Sequence, residues 1–136
     1  MIAYSESAEG ITAGMLQGFF AGWPSPPSPE THLRVLRGSQ AVVIALDGAR
    51  VVGFVSAIGD GVLSASISLL EVRAEYRRQG IGSELIRRVL VQLEGLNVDL
   101  SCDPELVPFY ARFGMQPVGV MNLRPLLPAH VRARAR

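Results

Sequence analysis

The stretch AVVIALDGARVVGFVSAI, residues 41–58, restricts the fold more than any other part of the chain. Two runs rich in β-branched residues flank Asp47-Gly48, a pair suited to the positive φ angles of a tight hairpin turn. A second turn at Gly59-Asp60-Gly61 leads into VLSASISLLEVRA, so three antiparallel strands are expected in succession. In the third of these, Leu63, Ala65, Ile67 and Leu69 alternate with serines, and then Leu70 and Val72 continue on the opposite parity. Such a slip turns apolar side chains to the wrong face unless one extra residue is accommodated. A β-bulge near Leu69–Glu71, with a bend in the strand, is therefore expected.

Downstream the apolar period changes from two to 3.6. Ile81, Leu85, Ile86, Val89, Leu90 and Leu93 make one stripe, Arg87, Arg88 and Glu94 take the other side, and Gly95 marks a stop. NVDLSC reads as a short strand. ELVPFYARFG reads as a helix with Leu106, Phe109, Tyr110 and Phe113 on its inner side, and Pro108 in the first turn puts its start near Glu105 or Leu106. MQPVGVMNLR is another strand-like stretch. Strand, helix and strand between Leu69 and Cys102 make a β-α-β unit, so the meander should continue into a partly parallel sheet. The expected class is mixed α/β, an antiparallel meander continuing into a β-α-β unit with helices on its flanks.

Ahead of the meander, MIAYS reads as a short edge strand. EGITAGMLQGFFAGW places Ile11, Met15, Leu16 and Phe19 at helical spacing, although its glycines weaken that helix. Prolines make Pro24 to Pro29 a stiff, extended loop. Ser28 then caps, and Pro29 opens, a short helix through ETHLRVLRG that stops near Gly38.

A chain of 136 residues, 49% hydrophobic and 18% charged, is expected to fold by itself as one domain over residues 1–128, with 129–136 a basic, frayed tail. The 13 basic and 12 acidic side chains nearly cancel, so neither nucleic acid nor an anionic membrane is expected as the main partner. Cys102 is the single cysteine, which excludes an intramolecular disulfide. MIAYSESAEG lacks the charge and apolar succession of a signal peptide, and no apolar run approaches a membrane span, so a cytoplasmic location is expected.

The sharpest local signal is EYRRQGIGSELIRRVL, residues 75–90, with two glycines at the entrance of the long helix. A helix N-terminus offers unpaired N–H groups and a partial positive charge, and it receives phosphate best where no side chain blocks the backbone. Gly80 and Gly82 clear that approach, and Arg77, Arg78 and Gln79 add donors suited to a pyrophosphate. Loop glycines beside a solvated arginine face are the plainer alternative. No Gly-x-x-x-x-Gly-Lys-Ser/Thr run exists, which excludes a nucleotide triphosphatase P-loop. A dinucleotide fingerprint needs a third small residue where Leu85 stands and a strand running straight into the glycines. Here the polar RAEYRRQ intervenes, so a dinucleotide-binding enzyme is the weaker alternative.

Taken together, LLEVRAEYRRQGIGSELIRRVL and VDLSCDPELVPFYARFGMQPV resemble the coenzyme-binding half of the GNAT family of N-acetyltransferases. The family pattern Arg/Gln-x-x-Gly-x-Gly/Ala is met by Arg77, Gly80 and Gly82, with a bulged strand before it and a Phe-Tyr helix after it. The order of elements is similar over nearly the whole chain, and an acyl-CoA N-acyltransferase-like sheet is implied. One departure is that only one strand-like run follows Gly114. Two options stay open there, a seventh strand of this chain or one completed by a second subunit in a homodimer.

The resemblance implies acetyl-CoA as acetyl donor, with no metal. Its pyrophosphate would rest on the amides of Arg78, Gln79, Gly80, Ile81, Gly82 and Ser83, and its pantetheine arm would bond backbone around Leu70 to Val72. The acceptor would be the primary amine of a small molecule, attacking the thioester directly. Tyr110 matches the tyrosine that protonates the departing sulfur in many members, against the alternative of a core aromatic. Glu71, at the bulge, is a candidate base, against that of a solvated strand residue. His32 is a second candidate base, although a lone helix histidine is usually on the surface. Cys102 invites a covalent acyl-enzyme, but no histidine is near it in sequence and small buried cysteine is the commoner case. Phe19, Phe20 and Trp23 are candidates to line the acceptor pocket, and equally candidates for core. A non-catalytic acyl-CoA sensor is the alternative of a different class.

Overall fold

The computed structural model describes residues 1–123. The chain forms two compact units, the first Met1–Leu100 and the second beginning at Ser101. In the first unit, β1 (Ile2–Ser5), β2 (Ala41–Asp47), β3 (Arg50–Gly59), β4 (Ser64–Val72) and β5 (Asn97–Asp99) form one sheet in that order. The first four strands pair antiparallel, and β4 pairs with β5 in parallel, as a meander followed by a β-α-β unit requires. The two turns form as expected. Gly48 takes φ 61° between β2 and β3, and Asp60 closes the second turn by accepting the amides of Val62 at 2.7 Å and Leu63 at 2.8 Å on Oδ1.

Helix α2 (Ile81–Gln92) buries Ile81, Leu85, Ile86 and Val89 against the middle strands. Gly53 in β3 is what lets it come close, because a Cβ there would lie 3.3 Å from both Ile81 Cγ2 and Leu85 Cδ1. The opposite face carries a second core, in which Val42, Ile44 and Phe54 meet Leu16, Phe19, Phe20 and Leu36. Each such buried side chain contributes about 1.5–3 kcal/mol by leaving water. Helix α1 (Pro29–Gly38) starts where the sequence indicates, with Ser28 Oγ accepting the Thr31 amide at 3.1 Å.

Two bulges bend the sheet. Between β3 and β4 the register passes from Ser56↔Leu69 to Ala57↔Ile67, leaving Ser68 as the extra residue. The expected position, Leu69–Glu71, is thus slightly too far along the strand. Serine fits the extra place because its hydroxyl lies 3.2 Å from that of the fully buried Ser56, which would otherwise lack a polar side-chain partner. The second bulge, at Val52 between Ala45↔Gly53 and Leu46↔Val51, had no counterpart in the sequence reading. VVGFV, residues 51–55, is apolar and buried throughout, so no change of parity betrays it.

Other expectations also fail. EGITAGMLQGFFAGW forms only a 3-10 turn at Ala13–Leu16, because Gly10, Gly18 and Gly22 take φ of 81°, 95° and 86° and end the helical path on both sides. MQPVGVMNL, 115–123, is not a strand; Pro117 lacks an amide donor, and Val118, Val120, Met121 and Leu123 are exposed. Cys102 is exposed rather than buried and lies beyond β5. The expected basic tail, 129–136, lies outside the described residues.

In the second unit a 3-10 turn at Pro104–Leu106 leads into α3 (Val107–Ala111), with Pro108 in its first turn as expected. Phe109 meets Tyr110 and Phe113 edge to face at 5.0 and 5.5 Å, and Arg112 lies over both phenylalanine rings. Leu106, expected on the inner side, is exposed, because the turn that precedes α3 takes it out of the helical register. Among the described residues no helix is long and apolar enough to cross a membrane.

Candidate active site

Strand β4 is paired unevenly. It follows β3 from Ala65 to Val72, but β5 accompanies it only at Ser64, Ala65 and Ser66. Beyond Ser66, where its hydroxyl bonds the Asp99 carboxylate, no strand among the described residues covers that edge up to Val72. Backbone at Leu70 to Val72 therefore borders a slot, a stretch of edge with no strand partner among the described residues. An extended ligand can enter such an edge as an added strand.

The slot leads to the helix entrance. After β4 a 3-10 turn, Ala74–Tyr76, reverses the chain, and Arg77 to Gly80 are all exposed before Ile81 turns back into the core. Arg78 and Gly80 take φ of 64° and 82°, the left-handed conformation that aims successive backbone amides to one side. Among the described residues nothing lies within 4 Å of where a Gly80 Cβ would stand. The first helical bond is Glu84 N–H to Gly80 carbonyl at 3.0 Å, and the N-cap, Gly80, has no side chain with which to cap the helix. The turn thus presents backbone donors and the helix dipole to solvent, the arrangement an anion fits. Arg77 donates from Nε to the Val72 carbonyl at 3.1 Å and so reaches back over the slot.

On the other side of β4 the bulge at Ser68 turns Leu69 and Glu71 toward the N-terminal aromatic core. Both Glu71 carboxylate oxygens accept the Phe20 amide, at 3.0 and 3.2 Å. Phe20 itself has φ 65°, a conformation costing about 1–3 kcal/mol in a residue other than glycine. A cavity of about 240 Å³ opens here, lined by Phe20, Trp23, Phe54, Leu69, Leu70, Glu71 and Arg77. A larger one, about 320 Å³, has Glu6, Glu9 and Arg37 on its walls and none of the sequence-predicted site residues.

The cavity thus brings together Glu71, Leu70, Arg77, Phe20 and Trp23. Phe19 belongs to the core instead. His32 is also buried, at 1% exposure, where a surface position was expected. Its ring meets Phe54 at 4.3 Å, Phe20 at 4.8 Å and Phe19 at 5.5 Å, and neither ring nitrogen has a hydrogen-bond partner among the described residues. Burial, and then the positive charge of Arg73, lowers its pKa to about 4, so the imidazole is neutral near pH 7. Tyr110 is buried in the second unit, and burial, with Cys102 as a smaller influence, raises its phenol above the ordinary value.

Phe54, Leu69 and Arg73 were missed by the sequence reading. Arg73 is 8% exposed, with its guanidinium carbon 4.4 Å above the Phe19 ring centroid. One signal existed, since Glu71 and Arg73 share a parity on the strand.

The acetyltransferase (GNAT) domain family matches residues 5–123. The chain belongs to the GNAT family. The structure of a candidate acetyltransferase from Deinococcus radiodurans R1 is similar at 48% identity, covering 94% of each chain with a TM-score of 0.89. A GNAT-family acetyltransferase of Streptococcus pneumoniae TIGR4 is 27% identical, covering 92% of this chain and 99% of that one, with a TM-score of 0.75. Over 63 residues the chain is 40% identical to a serotonin N-acetyltransferase of Mesocricetus auratus, a stretch that makes up 43% of this chain but only 30% of that relative. The expected mixed α/β architecture, an antiparallel meander continuing into a parallel strand with helices on its flanks, holds.

Proposed function

We propose that this GNAT protein is a cytoplasmic acetyltransferase that moves the acetyl group of acetyl-CoA to the primary amine of a small molecule, within one domain spanning residues 1–128. The observation that carries the proposal is the double use of β4. Its edge beyond Ser66, without a strand partner among the described residues, leads to the glycine-opened helix entrance, while Glu71, on the same strand, lines an aromatic cavity of about 240 Å³.

The residues fit the coenzyme. Backbone at Leu70 and Val72 would receive the pantetheine arm, with Arg77 giving up its bond to the Val72 carbonyl as it does so. The backbone from Arg78 through Gln79, Gly80, Ile81 and Gly82 to Ser83 would hold the pyrophosphate, joined by the Arg77 and Arg78 side chains. The coenzyme supplies an activated acetyl thioester. Glu71 would take the proton from the incoming amine. Its two oxygens are oriented by the Phe20 amide, and a carboxylate has lone pairs left for a second donor. Tyr110 would give a proton to the departing thiolate, and its raised pKa keeps that proton in place across the neutral range.

Calorimetric titration with acetyl-CoA, with CoA and NADH as comparisons, tests the coenzyme. Acetyl-CoA should bind and NADH should not; the reverse would sink the proposal. Tyr110→Phe tests the enzyme against a mere acyl-CoA sensor. It should leave acetyl-CoA binding intact and lower thiol release with a responsive amine by on the order of 10²-fold. Absence of turnover on any amine by the wild-type protein would favour the sensor.

A further inference from the structure

We propose that Arg73 is a positioning residue for the acceptor amine: together with Gly18 it locks the loop Gln17–Trp23 onto the end of β4 and so fixes the aromatic wall of the cavity. What the wall receives rests on the acetyl-transfer proposal above; the lock itself does not.

Arg73 is buried, yet among the described residues it makes no ion pair. A buried unpaired charge is a poor way to stabilise a core, where an apolar side chain of similar volume does as well or better. Arg73 is held by geometry instead. Its backbone amide donates to the Val52 carbonyl at 2.8 Å and its Nε to the Val51 carbonyl at 2.6 Å. Both carbonyls belong to the β3 bulge, where the ladder to β2 is interrupted. That bulge gives the guanidinium a fixed mount, from which it lies over the Phe19 ring.

The loop is shaped to receive it. A Cβ on Gly18 would stand 2.7 Å from Arg73 Nη1, and Gly18 has φ 95°, so both space and backbone demand glycine. Two residues on, Phe20 is held by Glu71, two residues before Arg73 on the strand. Arg73 and Glu71 thus grip Phe19 and Phe20 in succession. Phe20 and Trp23, 5.0 Å apart and edge to face, are the wall that an acceptor would touch. Without Arg73, Phe19 loses its cover and the strained Phe20 depends on Glu71 alone. The open edge of β4 and the start of α2 take no part in the lock, so coenzyme affinity should not respond.

Trp23 is the single tryptophan of the chain and reports on the wall directly. Arg73→Met keeps the volume but removes the charge and the donor. It should raise the KM for a responsive amine by about tenfold or more, change kcat less, and leave the acetyl-CoA Kd within about twofold. Acrylamide quenching of Trp23 should rise along with KM. Gly18→Ala should produce the same pattern, and combining it with Arg73→Met should cost less than the product of the two single effects, because the new Cβ no longer meets a guanidinium. Unchanged quenching, parallel loss of both substrates, or a fall in kcat alone would overturn the proposal. Should Arg73→Met not fold, Gly18→Ala is judged on the same quenching and KM, with unchanged values overturning it. If the wild-type protein binds no acetyl-CoA, acetyl transfer falls, and Trp23 quenching still decides the lock.

Discussion

On the proposed coenzyme side, the slot beside β4 offers backbone: a strand edge with no strand partner among the described residues, a left-handed turn at Arg78 and Gly80, and a helix with glycine as its N-cap. On the proposed acceptor side, the loop at 17–23 offers side chains, namely Phe20 and Trp23 on a core of Phe19, Phe54 and a neutral His32. Backbone sites tolerate any side chain that stays out of the way, so they are spoiled by addition. Side-chain sites are spoiled by removal. The same substitution chemistry should therefore have opposite consequences in the two regions.

Addition at the coenzyme side should have the largest effect. Gly82→Glu places a carboxylate beside the proposed pyrophosphate site, and like charges brought together cost several kcal/mol, so acetyl-CoA affinity should fall by on the order of 10³-fold in calorimetry. Stability should move the other way. Replacing a helical glycine gains about 1 kcal/mol of propensity, and an acidic side chain in the first turn suits the dipole. A variant that melts higher yet binds normally would show that the helix entrance is not where the coenzyme sits.

His32 sharpens the acceptor side. Its pKa is lowered to about 4 in the fold by burial, from an ordinary 6.5, so the unfolded chain takes up the proton first as pH falls. Stability from this group is complete above pH 6.5 and is lost progressively down to about pH 4, by up to about 3 kcal/mol. His32→Leu should flatten that part of the profile in denaturant titrations. It should also raise stability at pH 7 by about 1 kcal/mol, since two unpartnered nitrogens leave the core. An unchanged acid slope in His32→Leu would place the titrating group elsewhere.

The contrast also explains what could be read in advance. The meander, the α1 cap at Ser28, the α2 stripe and the glycine-opened helix were legible, because turn pairs, period and glycine each state a local backbone requirement. The phase slip in β4 announced a bulge and missed its place by little, since parity shows that a residue is extra without saying which one. The Val52 bulge left no trace in a strand buried on both faces, and Arg73, which it mounts, was missed with it. Burial of His32 was equally invisible, because it depends on three phenylalanines from two other parts of the chain. MQPVGVMNL had the composition of a strand but not the donors of one, with Pro117 in its midst.

Glu71 stands where the two sides meet, and two substitutions separate its duties. In Glu71→Gln one oxygen still accepts the Phe20 amide, so melting should hardly change, while turnover near pH 7 should fall by roughly tenfold or more for want of a base. Glu71→Ala should add a stability loss of about 1–2 kcal/mol, because the Phe20 amide is left without its acceptor. Full turnover in Glu71→Gln would reduce Glu71 to an anchor of the acceptor wall.

The smallest effect is expected at Glu84, in the first turn of α2, where it bonds Arg87 and Arg88. These pairs lie largely in solvent, and Glu84→Gln should cost only a few tenths of a kcal/mol of stability. Binding should respond in the opposite direction, because Glu84 is a negative charge one helical turn from the glycines that would face pyrophosphate. Removing it also releases two guanidinium groups to the local field. Acetyl-CoA affinity should rise by about two- to threefold at low ionic strength, and the gain should shrink near 0.15 M salt, where charges more than about 8 Å apart are screened. A gain that persisted in salt would mean that Arg87 or Arg88 contacts the coenzyme directly, extending the anion site from the helix entrance along its first turns.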